Sequence, residues 1–299
     1  SPAMHDMHAH GRLFMKKHIP QLLCEGFIFP ESPRWHRGSF YCCSIDEGRL
    51  FKLSMDGSKE VFLESPDRIS GWVFPDENSD DLIITAGKAR KLFRVVDGEY
   101  HEFADLSELA SYRINDMVRT EGGTCFVGSI NYVFGDIPLA QAPDSPLLRV
   151  SPAGEVEVAT RDMGFANGMV ISPDGRSMIV ADTTRECLHE YALSEDDQIQ
   201  SASIYAHIPG SVPDGIALDA EDAVWVATRD RVYRVLRGGE ITDEVDMGTT
   251  EATACMLGGP DGRTLLITAS DSYDRKIILD NPSGRVFYAE VETPRAGLP

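Results

Sequence analysis

Short apolar runs of about four to six residues alternate with polar stretches along almost the whole chain, and none extends into a helical stripe. Phe40-Tyr41-Cys42-Cys43, Leu82-Ile83-Ile84-Thr85, Thr124-Cys125-Phe126-Val127, Met178-Ile179-Val180, Ala223-Val224-Trp225-Val226 and Leu265-Leu266-Ile267 are rich in β-branched and aromatic side chains. Glycine turns punctuate them, among them Asp56-Gly57, Asp97-Gly98, Pro173-Asp174-Gly175 and Pro260-Asp261-Gly262. Runs of this length bounded by such dipeptides predict strands and hairpins. Helical periodicity is faint and confined to residues 106–112.

The runs repeat. Six copies of one unit can be read, entered at Glu31, Ser70, Asn115, Asn167, Asp214 and Thr253, each with a short apolar run, a turn and further strand-like segments. Units of roughly 40 to 50 residues with about four strands apiece predict an all-β, six-bladed β-propeller with four-stranded blades around a central channel. A β-sandwich would space its strands more closely and less regularly. Linkers able to divide domains are absent, so residues 20–299 read as a single propeller and residues 1–19 as an N-terminal extension, with Ser1-Pro2-Ala3 before Met4 resembling a cloning scar. The least regular segment, residues 131–145, carries Pro138 and Pro143 inside the third repeat. It reads as a long loop over one face, where lids are often found.

Composition narrows the partners. Hydrophobic residues at 42% and charged residues at 25% describe a folded globular chain. The 48 Asp and Glu against 28 Lys and Arg give a formal charge of -20, which repels a phosphate backbone or an anionic bilayer. No apolar run reaches the length of a membrane span, and the N-terminus lacks the hydrophobic region of a signal peptide. His5, His8 and His10 offer a metal-binding pattern that a frayed terminus explains equally well. The six cysteines show no CxxC pairing and read as buried thiols of a reducing, cytoplasmic compartment. Adjacent Cys42 and Cys43 face opposite ways on a strand.

The repeat also aligns polar residues. Glu31, Asn115, Asn167 and Asp214 occupy one position, just at the start of a blade, whereas the second and sixth copies carry Ser70 and Thr253 or Ala254 there. Equivalent positions of different blades converge on a propeller's axis, so two carboxylates and two amides meet at one end of the channel. Buried together and unpaired they would repel one another, and a hard divalent cation such as Ca²⁺, Mg²⁺ or Mn²⁺ resolves the conflict. Asn-Gly and Asp-Gly are also ordinary turn dipeptides, so it is the coincidence at one repeat position that singles these residues out. No G-x-S-x-G, H-E-x-x-H, Walker or G-x-G-x-x-G motif is present. His36, His101, His189 and His207 stand alone in sequence, and Trp35, Trp72 and Trp225 read as blade packing.

These residues resemble a known family. Pro30-Glu31-Ser32-Pro33-Arg34-Trp35, Arg113-Ile114-Asn115-Asp116, the run from Phe165-Ala166-Asn167-Gly168 to Pro173-Asp174-Gly175, and Pro213-Asp214-Gly215-Ile216-Ala217 are similar to the motifs of the SMP-30/gluconolactonase/luciferin-regenerating-enzyme family. The resemblance covers about residues 20–292 and implies a six-bladed propeller with a divalent cation on the axis. It implies that Glu31, Asn167 and Asp214 ligate the metal, calcium being favoured over zinc, magnesium or manganese. Asn115 then binds substrate or a coordinated water, and Arg113 contacts substrate. The implied reaction is lactone hydrolysis on a small molecule by a monomer or homodimer, with Asp214 also activating water. Two other readings are a non-catalytic calcium-binding regulatory protein and a phosphotriesterase-like hydrolase. One departure bears on substrate. Where sugar-lactone members tend to carry acidic or polar residues, this chain reads Asn131-Tyr132-Val133-Phe134, so Tyr132 and its neighbours predict a less hydroxylated or aromatic lactone.

Overall fold

The computed structural model describes residues 15–299, and Met4, His5, His8 and His10 lie outside them. Six antiparallel blades follow one another around an axis. The first comprises Pro30–His36, Ser39–Ser44, Arg49–Leu53 and Lys59–Glu64. The innermost strands of the next four are Trp72–Val73, Arg113–Arg119, Ala166–Ile171 and Ile216–Leu218. The sixth blade starts with Glu251–Gly258 and continues through Thr264–Ser270 and Gly284–Glu290. Its fourth strand comes from the other end of the chain: Gln21–Phe27 pairs antiparallel with Gly284–Glu290 and closes the ring. Just before it, Lys16–His18 adds a parallel edge strand to the fifth blade, where His18 Nε2 lies 2.8 Å from Asp243 Oδ2.

The strands form because each apolar run has two faces to bury. Six hydrophobic clusters lie between successive blades, and alternate residues of one strand go to different clusters. Cys42 joins the cluster between blades six and one, Cys43 the cluster between blades one and two. All six cysteines are free and buried, as expected. Trp72 and Trp225 are buried in this packing. A seventh, smaller cluster gathers Ile130, Tyr132 and Phe165 with Leu139 beneath the irregular loop.

Helix is scarce, and it is not where the periodicity hinted. Residues 106–112 make a single turn closed by the Ala110 N–H donating to the Leu106 carbonyl at 2.9 Å, because Glu99–Asp105 runs directly into it as a strand. The one α-helix among the described residues is Arg275–Asp280, whose N-terminus is capped by the Asp274 carboxylate accepting from Lys276 N and Ile277 N. It lies in an insertion between two strands of the sixth blade.

Two features of the inner strands set up the site. Their pairing slips between Glu31 and Arg34, between Ile114 and Met117, between Ala166 and Met169, and between Ala252 and Ala254. These are bulges at one repeat position, and a bulge re-aims the side chains it carries. The second feature is close approach. Asn167-Gly168 and Asp214-Gly215 are not turns: a Cβ on Gly168 would lie 2.5 Å from Ile216 N, and one on Gly215 would lie 2.2 Å from the Ala254 Cβ. Glycine is there so that neighbouring inner strands can touch.

Hydrogen bonds then run from blade to blade around the axis. Ser32 Oγ donates to the Ser70 carbonyl (2.6 Å), Ser70 Oγ to that of Ile114 (3.1 Å) and Asn115 Nδ2 to that of Ala166 (3.3 Å). Gly168 N–H donates to Asp214 O (3.1 Å), Gly215 N–H to Thr253 O (3.0 Å), and Thr253 Oγ1 to Pro30 O (2.7 Å), completing the circuit. The two repeat positions that lack a candidate ligand, Ser70 and Thr253, thus supply hydroxyls to this belt. At the opposite ends of the inner strands, the C-terminal segment crosses the channel through bridges of Arg295 with Asp219 and Leu298 with Ile171.

Candidate metal centre and substrate cavity

Glu31, Arg113, Asn115, Tyr132, Asn167 and Asp214, six residues drawn from four blades, all line one cavity of about 380 Å³ at the starting ends of the inner strands. Glu31 and Asp214 are buried, and their carboxyl groups are close enough to shift one another's titration. Burial, then the charges of Asp214 and Asp116, push the Glu31 carboxyl well above the ordinary range, against the Ser32 N–H that donates to Glu31 Oε2 at 2.8 Å. Burial likewise raises Asp214 to about 6, although its contact with the Glu31 carboxyl and the hydroxyl donated by Tyr273 oppose the rise. Ser32 holds a φ of 44° beside Glu31, and Arg229 one of 72° at the cavity wall, a strained backbone for non-glycine residues.

Asp214 Oδ2 accepts the Tyr273 hydroxyl at 2.8 Å, whereas Asp214 Oδ1 is buried with no hydrogen-bond partner. Such an orphaned carboxylate oxygen, pressed against a second carboxylate, is the arrangement a divalent cation relieves. Asn167 donates its amide nitrogen to Thr183 Oγ1 at 3.2 Å, which leaves its oxygen as the atom to offer. Thr183 is itself fixed by donating to the Pro213 carbonyl at 2.6 Å. Glu31, Asn167 and Asp214 form an all-oxygen donor set that fits a hard cation such as calcium.

Above them the cavity changes character. Tyr132 is buried with its ring edge-on to Phe134 at 5.5 Å between centroids and to Phe165 at 6.3 Å, and its hydroxyl has no hydrogen-bond partner. Phe134, Ile137 and Leu139 also face the cavity, so the irregular loop roofs it. Val133, 43% exposed, is not part of the lining. Arg113 stacks over Tyr112, its guanidinium carbon 4.1 Å from the ring centroid.

Several lining residues escaped the sequence. Tyr273, Arg275 and Ile278 come from the insertion that interrupts the sixth repeat, Arg68 from the loop before the second blade and Arg229 from a hairpin of the fifth. The unusual distance between Thr264–Ser270 and Gly284–Glu290 was the available signal, since an insertion in one repeat marks a loop that function has lengthened. His189 is likewise not isolated: its Nε2 lies 2.8 Å from Asp182 Oδ2 and near Cys187, and the three buried side chains could hold a metal by spacing alone. The Asp182 carboxylate, however, already accepts from Gly164 N–H (2.9 Å) and Phe165 N–H (3.0 Å). Burial lowers the His189 pKa, but bonding to Asp182 outweighs it and lifts the imidazole to about 9, so the pair is a buried ion pair tying two strands to the 162–165 loop.

Comparison with known proteins agrees with this architecture. The sequence model of the SMP-30/Gluconolactonase/LRE-like region matches residues 29–271. A 6-deoxy-6-sulfogluconolactonase of Pseudomonas putida is 34% identical over 160 residues, 51% of this chain and 55% of that protein, so the match spans about half of that relative. Regucalcin of Gallus gallus is 25% identical over 268 residues, covering 86% of this chain and 89% of its own. Among solved structures, a calcium-binding protein, regucalcin, from Agrobacterium tumefaciens shares the fold with a TM-score of 0.79 at 21% identity, over 95% of this chain and 98% of that one. With its model matched across most of the chain, the protein belongs to the SMP-30/gluconolactonase/LRE-like family.

Proposed function

We propose that this protein is a divalent-cation-dependent lactonase acting on a lactone poorer in hydroxyls than gluconolactone. The observation that carries the reading is the unpartnered Oδ1 of Asp214 beside Glu31 at the floor of a cavity large enough for a small substrate. A purely structural ion site has no use for an apolar, roofed space above it. The name of the Pseudomonas relative, a sulfogluconolactonase, points to the same reaction type.

Glu31, Asn167 and Asp214 would hold a hard cation, which would supply polarisation of the ring carbonyl and stabilisation of the negative charge that develops on its oxygen. Tyr273 fixes the Asp214 carboxylate, whose Oδ2 keeps a second lone pair with which to take the proton of the attacking water. Asn115 and Arg113 hold the ester oxygens, and the unpaired Tyr132 hydroxyl donates to a substrate oxygen from the roof. Phe134, Ile137 and Leu139 exclude bulk water and accept an apolar or aromatic body.

The test is a hydrolysis screen of varied lactones, and of a phosphotriester, in metal-free protein and after addition of Ca²⁺, Mg²⁺, Mn²⁺ or Zn²⁺ in turn. Metal-restored opening of lactones is expected. Hydrolysis of the phosphotriester alone, or of nothing at all, overturns the reading.

A further inference from the structure

Three arginines meet at the rim of this cavity. Arg68 precedes the second blade, Arg113 opens the inner strand of the third, and Arg275 begins the short helix of the sixth. Arg68 and Arg275 each give one Nη1 to the same oxygen, Oδ1 of Asp46, a carboxylate only 4% exposed. Arg113 is packed beside Arg68: a Cβ on Gly87 would lie 3.2 Å from the Arg68 Cβ and 3.9 Å from the Arg113 Cδ. Among the described residues no carboxylate pairs with Arg113, nor with Arg229 farther along the wall, whose Nε is buried without a partner.

Such crowding is costly. Burial lowers the Arg68 pKa, and Arg275 and Arg113 press in the same direction against the single counter-charge of Asp46. A guanidinium carries five N–H donors, and Asp46 takes one nitrogen from each of two, so the forks keep donors for a further planar or tetrahedral anion. With Glu31 and Asp214 committed to the cation, four guanidinium groups line the cavity against one carboxylate. The chain as a whole carries a formal charge of -20, so this positive cavity runs against the sign of the rest of the molecule.

We infer that the lactone opened here carries an anionic substituent, a carboxylate, sulfonate or phosphate ester, bound by Arg68 and Arg275, while the neighbouring Arg113 keeps to the ester oxygens of the ring over the carboxylate floor. The inference rests on the lactonase reading of the same cavity and adds the charge of the substrate to it. The substrate is then an apolar-bodied lactone with one anionic end: Phe134, Ile137 and Leu139 cover the body, and the arginine rim reads the end.

The test compares a lactone bearing a side-chain carboxylate with its methyl ester, which has the same ring and reactivity without the charge. The acid is expected to show a kcat/KM higher by roughly 10- to 100-fold, carried by KM and shrinking as salt is raised. Arg275→Gln, on a partly exposed helix and checked for an unchanged melting curve, should bring the acid-to-ester ratio toward one, and Arg275→Lys should restore part of it. Equal specificity constants for acid and ester, with both hydrolysed, overturn this inference and leave the lactonase reading intact. If neither is hydrolysed the lactonase reading falls, and the carboxylated lactam, a non-hydrolysable mimic, decides the rim. Thermal stabilisation by it that exceeds that of its methyl ester upholds anion binding, and equal stabilisation overturns it.

Discussion

The Tyr273 hydroxyl stands 2.8 Å from Asp214 Oδ2 and 2.8 Å from the Ala252 carbonyl oxygen, so one phenol from an insertion fastens the central carboxylate to the inner strand of the next blade. Burial, followed by the Asp214 and Glu31 charges, raises the Tyr273 pKa, so the hydroxyl stays a donor. Tyr273→Phe removes that donor and keeps the ring, which packs edge-on against Phe29. Loss of the group that orients a ligand typically costs 10- to 100-fold in metal affinity or activity. The expected result is a fall of about that size in activity at limiting metal, read by titrating each cation into metal-free variant and wild type.

Removing the cation should also weaken the fold. It would leave two buried carboxyl groups in contact without compensation, so chelated protein is expected to melt at a lower temperature, and re-addition of metal should raise the midpoint with concentration by mass action. Identical melting curves in chelator and in millimolar metal would count against a cation at Glu31, Asn167 and Asp214.

Asp214→Asn keeps the shape and the Tyr273 contact but removes the proton acceptor. Turnover should drop by ~10² to 10⁴, the usual worth of a general base. The readout is kcat at saturating metal, with circular dichroism confirming the fold. Turnover near wild type would place the base elsewhere.

The roof should discriminate among lactones. Each hydroxyl left unpaired against Phe134, Ile137 or Leu139 loses ~1 to 3 kcal/mol, so a polyhydroxylated ring is disfavoured by tenfold or more. An aryl or alkyl lactone of similar intrinsic reactivity is expected to show the higher kcat/KM in competition with gluconolactone. Because Tyr132 carries the one unpaired hydroxyl in the roof, Tyr132→Phe should narrow the range of substrates rather than abolish turnover.

Away from the cavity, the His189–Asp182 pair makes stability depend on pH. Folding raises the His189 pKa from 6.5 to about 9, so the native state holds the proton more tightly. The stability this contributes is complete below pH 6.5, declines as pH rises, and is lost above about 9. Chemical denaturation across that interval should show the decline in wild type and a flatter profile in His189→Gln. Asp182 keeps the Gly164 and Phe165 N–H donors and the Arg185 guanidinium 3.8 Å away, so loss of the imidazolium bond should cost that variant about 1.5 to 3 kcal/mol at pH 6.

Which parts of this could be read from the residues follows from what repeats. Blade number, inner-strand starts and the convergence of Glu31, Asn115, Asn167 and Asp214 were all legible because each blade restates the same pattern at the same spacing. The dipeptides Asn167-Gly168 and Asp214-Gly215 were ambiguous for a physical reason: glycine serves a turn by adopting positive φ and serves close packing by lacking Cβ, and sequence does not separate the two uses. Arg113 was legible within its motif, but Tyr273, Arg68 and Arg275 were invisible because they lie in segments between strands whose positions are set by tertiary packing. Arg68 and Arg275 stand far apart in sequence and meet only through Asp46. The charged cavity in an acidic chain was hidden by the same averaging, since net charge says nothing of where the signs gather.

The manner of ring closure sets a schedule for the chain's birth. Within the ring, Gln21–Phe27 leaves the ribosome about 260 residues ahead of its partner Gly284–Glu290. At ordinary rates of synthesis the wait between them is on the order of tens of seconds. Through that time blades two to five can zip from local hairpins, while the first-made strand has no edge to join. A nascent chain stalled before residue 284 is therefore not a smaller propeller but an open arc with bare strand edges at both ends, the kind of surface that recruits chaperones or other unfinished chains.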